Sequence, residues 1–271
     1  MKRGVTVGTA SYLNKHTQKL KQEMISKAKI RYLRSLEQKK TRKAEGVFVA
    51  EGVKGVTDIM KVIPPRIIAA TETWLQNAAI PEECEVWEVS EEELKRISFL
   101  QTPQQVMAVF PQPANTPVEI DSNQLYLALD NVQDPGNLGT IIRIADWFGI
   151  THIFCSMESA EIWNPKVVQA TMGSIARVRV TYLPLETLLE NLPEGMPVYG
   201  TFLEGEDIHS TNLENRGIIV MGNEGKGISD NVAKCVTQRI LIPNYPKGRE
   251  TADSLNVAIA TAITCFAVRK P

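Results

Sequence analysis

Two runs of five residues, LYLAL (125–129) and GIIVM (217–221), contain no charged side chain. A strand with one solvated face alternates polar and apolar residues. A strand without that alternation is buried on both faces, which is the condition of a parallel sheet covered by helices. The rest of the second half supplies such helices. Strands are predicted at 124–129, 152–156, 178–182, 198–202, 217–221 and 239–242. Helices are predicted at 138–148, 165–175, 185–192 and 230–236, with a long apolar one at 254–268 opened by Ser254 as its cap. This alternation predicts an α/β fold with a parallel sheet.

A smaller alternating unit precedes it. A basic helix is predicted over 28–43, then strand 48–52 and helix 53–62. Strand 66–70, helix 72–78 and strand 85–89 follow, then helix 90–97 and strand 106–110. Ser90 and Glu93 have the spacing of a capping box. The segment PQPANTP (111–117) has three prolines and no charge, so the domain boundary is placed there. The expected organisation is a mobile basic extension at 1–23, a first unit at 24–110, the linker at 111–117 and a second unit at 118–271.

The formal net charge of −1 hides an asymmetry: residues 1–50 hold 13 Lys and Arg against three Asp and Glu. An arm this basic on a near-neutral chain points to a polyanionic partner. The four cysteines are scattered, with no CxxC, and there are only three histidines. That argues against a disulfide scaffold and against a zinc site, and it fits a reducing cytoplasm. No run of 18 apolar residues suggests a membrane span.

Three segments carry the chemistry, each just after a predicted strand, where open parallel sheets bind their ligands. The first is Asn131-x-x-Asp134-Pro135-x-Asn137-x-Gly139-x-x-x-Arg143, and the second is Gly222-Asn223-Glu224-Gly225-x-Gly227. The third is Ser254-Leu255-Asn256-Val257, after Ile242-Pro243. Taken singly, each reads as a capped or glycine-rich turn. The second is no phosphate cradle, because no Gly-Lys-Ser/Thr follows and Glu224 would repel a phosphate. In this order the three resemble the SpoU (TrmH-like) RNA ribose methyltransferases of the SPOUT superfamily. The likeness covers about 118–271. Residues 30–52, IRYLRSLEQKKTRKAEGVFVAEG, also resemble the family's substrate-binding domain.

The resemblance implies a SPOUT domain with a deep trefoil knot, preceded by a small α/β RNA-binding domain like ribosomal-protein sandwiches. It implies S-adenosylmethionine as cofactor, held in the knot by Gly222, Ile242 and Leu255, with Gly200 and Thr201 lining the same pocket. It implies a homodimer in which the first motif lies close to the partner's cofactor. Methyl transfer to a ribose 2′-hydroxyl would follow, with Arg143, Glu224, Asn131 and Asn256 as catalytic residues. A guanidinium is effectively always protonated. Arg143 is therefore expected to grip the RNA phosphate and stabilise a developing alkoxide. Glu224 and Asn131 are expected to orient that arginine or the ribose, and Asn256 to position cofactor or substrate. The ten residues between Pro243 and Ser254 make a longer loop than the family's, and Lys247 and Arg249 within it read as solvated. Arg31, Arg34, Lys39, Lys40, Arg42 and Lys43 are the candidates for RNA-backbone contacts.

In the family this chain resembles, a separate recognition domain of this type is more common in the rRNA-modifying branch, which implies ribosomal RNA as the substrate, with tRNA second. The competing reading is a non-catalytic RNA-binding or ribosome-assembly protein on the same scaffold. A decayed enzyme should lose Arg143, Glu224 or Asn256 first, and all three are present.

Overall fold

The computed structural model describes residues 25–114, 116–246 and 249–269; the expected extension at 1–23 and Lys247 lie outside them. The amino-terminal unit runs α1 (Lys27–Ser35), α2 (Lys39–Glu45), β1 (Val47–Glu51), α3 (Val53–Met60), β2 (Ile67–Ala70) and α4 (Glu72–Leu75). It continues with β3 (Glu85–Glu88), α5 (Glu91–Ile97) and β4 (Val106–Pro111). Its sheet has the order β1-β4-β2-β3, antiparallel except for the β2–β3 pair.

The carboxy-terminal unit runs β5 (Leu125–Leu129), α6 (Pro135–Trp147), β6 (His152–Cys155), α7 (Pro165–Thr171), β7 (Arg179–Tyr182) and α8 (Leu185–Glu190). Strands β8 (Val198–Asp207) and β9 (Gly217–Met221) follow. Helix α9 (Asp230–Lys234), β10 (Gln238–Leu241) and α10 (Val257–Val268) complete it. All six strands are parallel, in the order β10-β8-β9-β5-β6-β7. Every residue of β5 and β9 is buried, as their lack of alternation requires. Among the described residues no helix is long and apolar enough to cross a membrane.

The helices expected at 72–78 and 165–175 end at Leu75 and Thr171, and three other local expectations change. The single basic helix over 28–43 is two helices, because Leu36 is pulled into the core and the chain turns there. The carbonyls of Leu36 and Glu37 at the break are satisfied from α2, by the Arg42 guanidinium at 3.0 and 2.6 Å. Strand β8 runs five residues past its expected end, pairing with β10 across a shifted register. Gly205 permits this, since a Cβ there would stand 2.7 Å from the Arg239 carbonyl. The last helix starts at Val257 with Asn256, not Ser254, as its cap. The Ser90–Glu93 capping box forms, and Glu93 also accepts the Ile25 amide at 2.7 Å.

Both faces of the amino-terminal sheet are buried except along edge strand β3, where only Trp87 is buried. Val47, Val49, Met107 and Val109 pack with Leu33, Leu36, Leu94 and Ile97 of the covering helices. On the opposite face Phe48, Ala50, Ala108 and Phe110 share one continuous core with Leu127, Ile141 and Val167 of the second unit.

Candidate active site

The first motif leaves β5 through Asp130, whose buried carboxylate accepts the Ser229 amide at 2.7 Å. Asn131 follows with φ of +59°, a left-handed conformation that asparagine tolerates. Its amide donates to Ser156 Oγ at 3.0 Å and its carbonyl accepts from Asn223 Nδ2 at 2.8 Å. Asp134 caps α6 by accepting the Asn137 amide at 2.8 Å, and Pro135 opens the helix. Those two residues need no more than a structural explanation.

The three motifs meet through Asn137. Its Nδ2 donates to Glu224 Oε1 at 2.5 Å, and its Oδ1 accepts from Asn256 Nδ2 at 2.9 Å. The orientation of both amides follows from their partners. Asn256 Oδ1 accepts the Ala258 and Ile259 amides as helix cap, so its nitrogen faces Asn137. A carboxylate only accepts, so Asn137 turns its nitrogen to Glu224. Asn137 stands in the first motif but is not among the expected catalytic residues. Its helix position is readable there, but its two partners are 87 and 119 residues away. Asn131 lies elsewhere. It lines a second cleft of about 370 Å³ with Asp130, Ser156 and Met157, and is joined to the glycine loop by its carbonyl alone.

The second motif closes on itself. Asn223 and Gly227 exchange both backbone hydrogen bonds, and Asn223 Oδ1 accepts the amides of Gly225 and Lys226 at 2.9 and 3.1 Å. A Cβ on Gly222 would stand 2.2 Å from the Gly227 carbonyl carbon, so only glycine fits. The loop borders a cleft of about 480 Å³, in the roughly 300–1,000 Å³ range of small-molecule sites. Thr201, Gly222, Ile242 and Leu255 all line it. Gly200 does not: a Cβ there would stand 2.6 Å from the Phe202 ring and 2.8 Å from Val236, so it serves close packing beside the cleft. Met221, Leu241 and Val257 give the cleft apolar wall, and Glu204, Glu224, Lys226 and Arg239 give it charge. Arg239 lies 3.5 Å over the Phe202 ring.

Arg143 is not brought to this cleft. It is exposed on α6, on the stripe of Thr140 and Trp147, and among the described residues it makes no hydrogen bond or ion pair. Helices α6 and α10 lie side by side and parallel. Asn137 meets Asn256 at their starts, and Arg269 donates to the Phe148 carbonyl at their ends, at 3.0 Å. Together they expose Trp147, Ile259, Ile263 and Phe266; Trp147 is 86% and Phe266 74% exposed.

Residues 124–266 match the model of the SpoU rRNA Methylase family, and residues 27–108 match that of the MRM3-like substrate binding domain. This chain belongs to the SpoU family. It is 30% identical to the 23S rRNA (guanosine(2553)-2′-O)-methyltransferase RlmP of Bacillus subtilis, over 91% of this chain and 98% of that one. A solved structure from the TrmH family of RNA methyltransferases, from Porphyromonas gingivalis, is 44% identical. It superposes with a TM-score of 0.81, covering 91% of this chain and 99% of that one. An AdoMet-bound rRNA methyltransferase from Sinorhizobium meliloti is 30% identical, covering 91% and 97%, with a TM-score of 0.79. The chain is therefore a SpoU-family RNA methyltransferase that uses S-adenosylmethionine.

The basic helices of this SpoU-family chain divide into two sets. Arg31, Lys39, Lys40 and Lys43 are exposed and have no ionic partner among the described residues. Arg34 is partly engaged: it donates to the Ser98 carbonyl at 2.7 Å, pairs with Glu37 and lies over the Phe99 ring. Arg42 corrects the expectation of an RNA contact. It is 2% exposed, holds the carbonyls at the α1–α2 break and forms an ion pair with Glu161. A guanidinium so enclosed has no face left for a phosphate.

Proposed function

We propose that this chain transfers a methyl group to the 2′-hydroxyl of a ribose in ribosomal RNA. The observation that carries the proposal is the chain of side chains Glu224–Asn137–Asn256 beside the cleft. The cleft suits S-adenosylmethionine: Met221, Leu241, Ile242 and Val257 would cover an adenine, the backbone of 222–227 would meet its polar edges, and carboxylates are present for a cation. Bound there, the cofactor supplies an electrophilic methyl group.

The chain's own residues then align the acceptor. Asn137 uses one Glu224 oxygen, which leaves the other to accept a hydrogen bond from the ribose hydroxyl. Asn256 holds Asn137 and the start of α10 in register. Arg143 stays protonated, grips the RNA phosphate and stabilises the developing alkoxide as the hydroxyl passes its proton to that Glu224 oxygen and takes the methyl group. It does so in the site of a partner subunit. The exposed stripe of Trp147, Ile259, Ile263 and Phe266 beside it supports a homodimer, since apolar patches of this kind mark interfaces. Residues 24–110 would hold the substrate, with Arg31, Lys39, Lys40 and Lys43 on RNA phosphates, and 111–117 would join them to the catalytic unit. The return from edge strand β10 to α10, beside α6, supports a knotted path through the cleft. The chain's likeness to a bacterial rRNA methyltransferase supports a place in the cytoplasm.

The test uses methyl-labelled S-adenosylmethionine, undermodified total RNA and an Arg143→Ala control. Label recovered as a 2′-O-methylnucleoside from ribosomal RNA, and lost in the control, is the expected result. Label on a base, or on tRNA alone, would overturn it.

A further inference from the structure

One short segment, residues 156–164 between β6 and α7, touches both the Asn131 turn, which is bonded to the glycine loop of the active site, and the amino-terminal unit. At its start Ser156 Oγ accepts the Asn131 amide at 3.0 Å, and Ser159 Oγ donates to the Leu129 carbonyl at 3.3 Å. The Ala160 amide donates to the Val132 carbonyl at 2.9 Å. These bonds hold the turn that keeps Asn131 left-handed. Further along, Glu161 takes the Arg42 guanidinium, and the Trp163 ring stacks on Phe48 of β1 with centroids 4.7 Å apart. Phe48 stacks in turn on Phe110 of β4 at 5.3 Å. The middle of the segment is braced by Tyr182, whose hydroxyl accepts the Ile162 amide at 2.8 Å and donates to the Ala160 carbonyl.

Arg42 is costly for a surface-type basic helix. It is almost wholly buried, and its Nε has no partner among the described residues. Buried ion pairs seldom add stability over an apolar filling, but they do fix geometry. The geometry fixed here is the angle between the helices that carry Arg31, Lys39, Lys40 and Lys43 and the turn that borders the active site.

We infer that residues 156–164 are a latch setting the span between the RNA-gripping helices and the methyl acceptor site, with Arg42 and Glu161 as its positioning residues. The inference rests on the ribosomal-RNA reading above. Its substrate class is a structured RNA long enough to touch α1, α2 and the cleft together. A hairpin too short to reach α1 and α2 gains nothing from the latch.

The test compares the wild type with the double variant Arg42→Met/Glu161→Leu, which removes both charges and keeps the volume filled. Arg42→Lys, which keeps the charge and loses the fork, serves as the milder variant. Cofactor affinity should be unchanged in both. On long ribosomal RNA fragments KM should rise roughly 10- to 100-fold in the double variant, with kcat little altered. Arg42→Lys should fall between, and on a short hairpin the variants and wild type should agree. Hydrogen exchange should quicken at 129–132 and 156–164. A double variant with wild-type KM on long RNA, or with unchanged exchange at 129–132, overturns the latch. So does an equal loss on long and short RNA, which is what a merely structural role would give. A wild type that methylates no RNA sinks the ribosomal-RNA reading instead, and the exchange measurement still decides whether the segment latches.

Discussion

Arg42 and Arg143 both sit on helices marked by sequence as places to meet RNA, and the fold treats them oppositely. Arg42 shares α2 with Lys39, Lys40 and Lys43, yet it alone turns inward to carbonyls and to Glu161. Arg143 shares α6 with Asn137, whose side chain is fully engaged, yet it faces solvent without a partner among the described residues. A charge run reports the composition of a segment, and only packing decides which cations are spent inside the molecule. The engaged groups hold shape. The free ones keep their charge exposed and available to a ligand.

The largest effect that would test this contrast comes from Arg143→Ala. Turnover should fall about 10²- to 10³-fold, the loss typical of one electrostatic stabiliser. Thermal stability should stay within about 0.5 kcal/mol of wild type, as for other exposed positions without contacts. Mixing this variant with Glu224→Ala sharpens the point. If Arg143 serves the partner's site, equal amounts should recover about a quarter of wild-type activity, because half the dimers regain one of two sites. Absence of recovery in a proven mixed dimer would put Arg143 in its own subunit's cleft.

A second effect belongs to the scaffold. Burial, and next the nearby Arg179, push the His152 imidazole down to about 4. Its ring stacks on Phe154 and its Nε2 meets Thr181 Oγ1 at 2.9 Å. Its folded value lies below the unfolded one near 6.5, so this contribution is complete above that pH and is lost as pH falls toward 4. The loss should reach up to about 3 kcal/mol, read as a falling melting temperature between pH 7 and 4. His152→Gln should flatten that slope. An unchanged slope would assign the acid sensitivity to other groups.

Gly222→Ala lies between site and scaffold. Its methyl group would press on the Gly227 carbonyl carbon, so the loop must open. A cost of about 1–3 kcal/mol is expected, with weaker cofactor binding by calorimetry. Wild-type binding in a stable Gly222→Ala protein would mean that the loop's closed form is not needed by the cofactor.

The sheet was legible because LYLAL and GIIVM admit only one kind of burial, and α5 because Ser90 and Glu93 carry their cap in four residues. The division of the basic segment was not legible. Its charges suggest a continuous solvated helix, and only the long-range burial of Leu36 and Arg42 breaks it. At the site, Glu224 and Asn256 stand out by local pattern, and they do converge. The residue joining them, Asn137, could be placed at the start of a helix but not between two distant motifs. Asn131 has the same residue type in the same motif, adopts a left-handed conformation and lines the other cleft.

The smallest effects belong to the free lysines. Lys39→Ala, Lys40→Ala and Lys43→Ala should each weaken RNA binding modestly and about equally for all sequences. Combined, they should make the logarithmic salt dependence shallower by about one unit for each phosphate contact removed. Their melting temperatures should match wild type, since none has a partner to lose among the described residues. Arg42→Ala should do the reverse. It leaves Glu161 and two helix-end carbonyls without their donor, so it should lower stability by about 3–5 kcal/mol, with no direct effect on the salt slope. If the lysine variants kept the wild-type slope and Arg42→Ala flattened it in folded protein, the division between spent and free cations would be wrong at its centre.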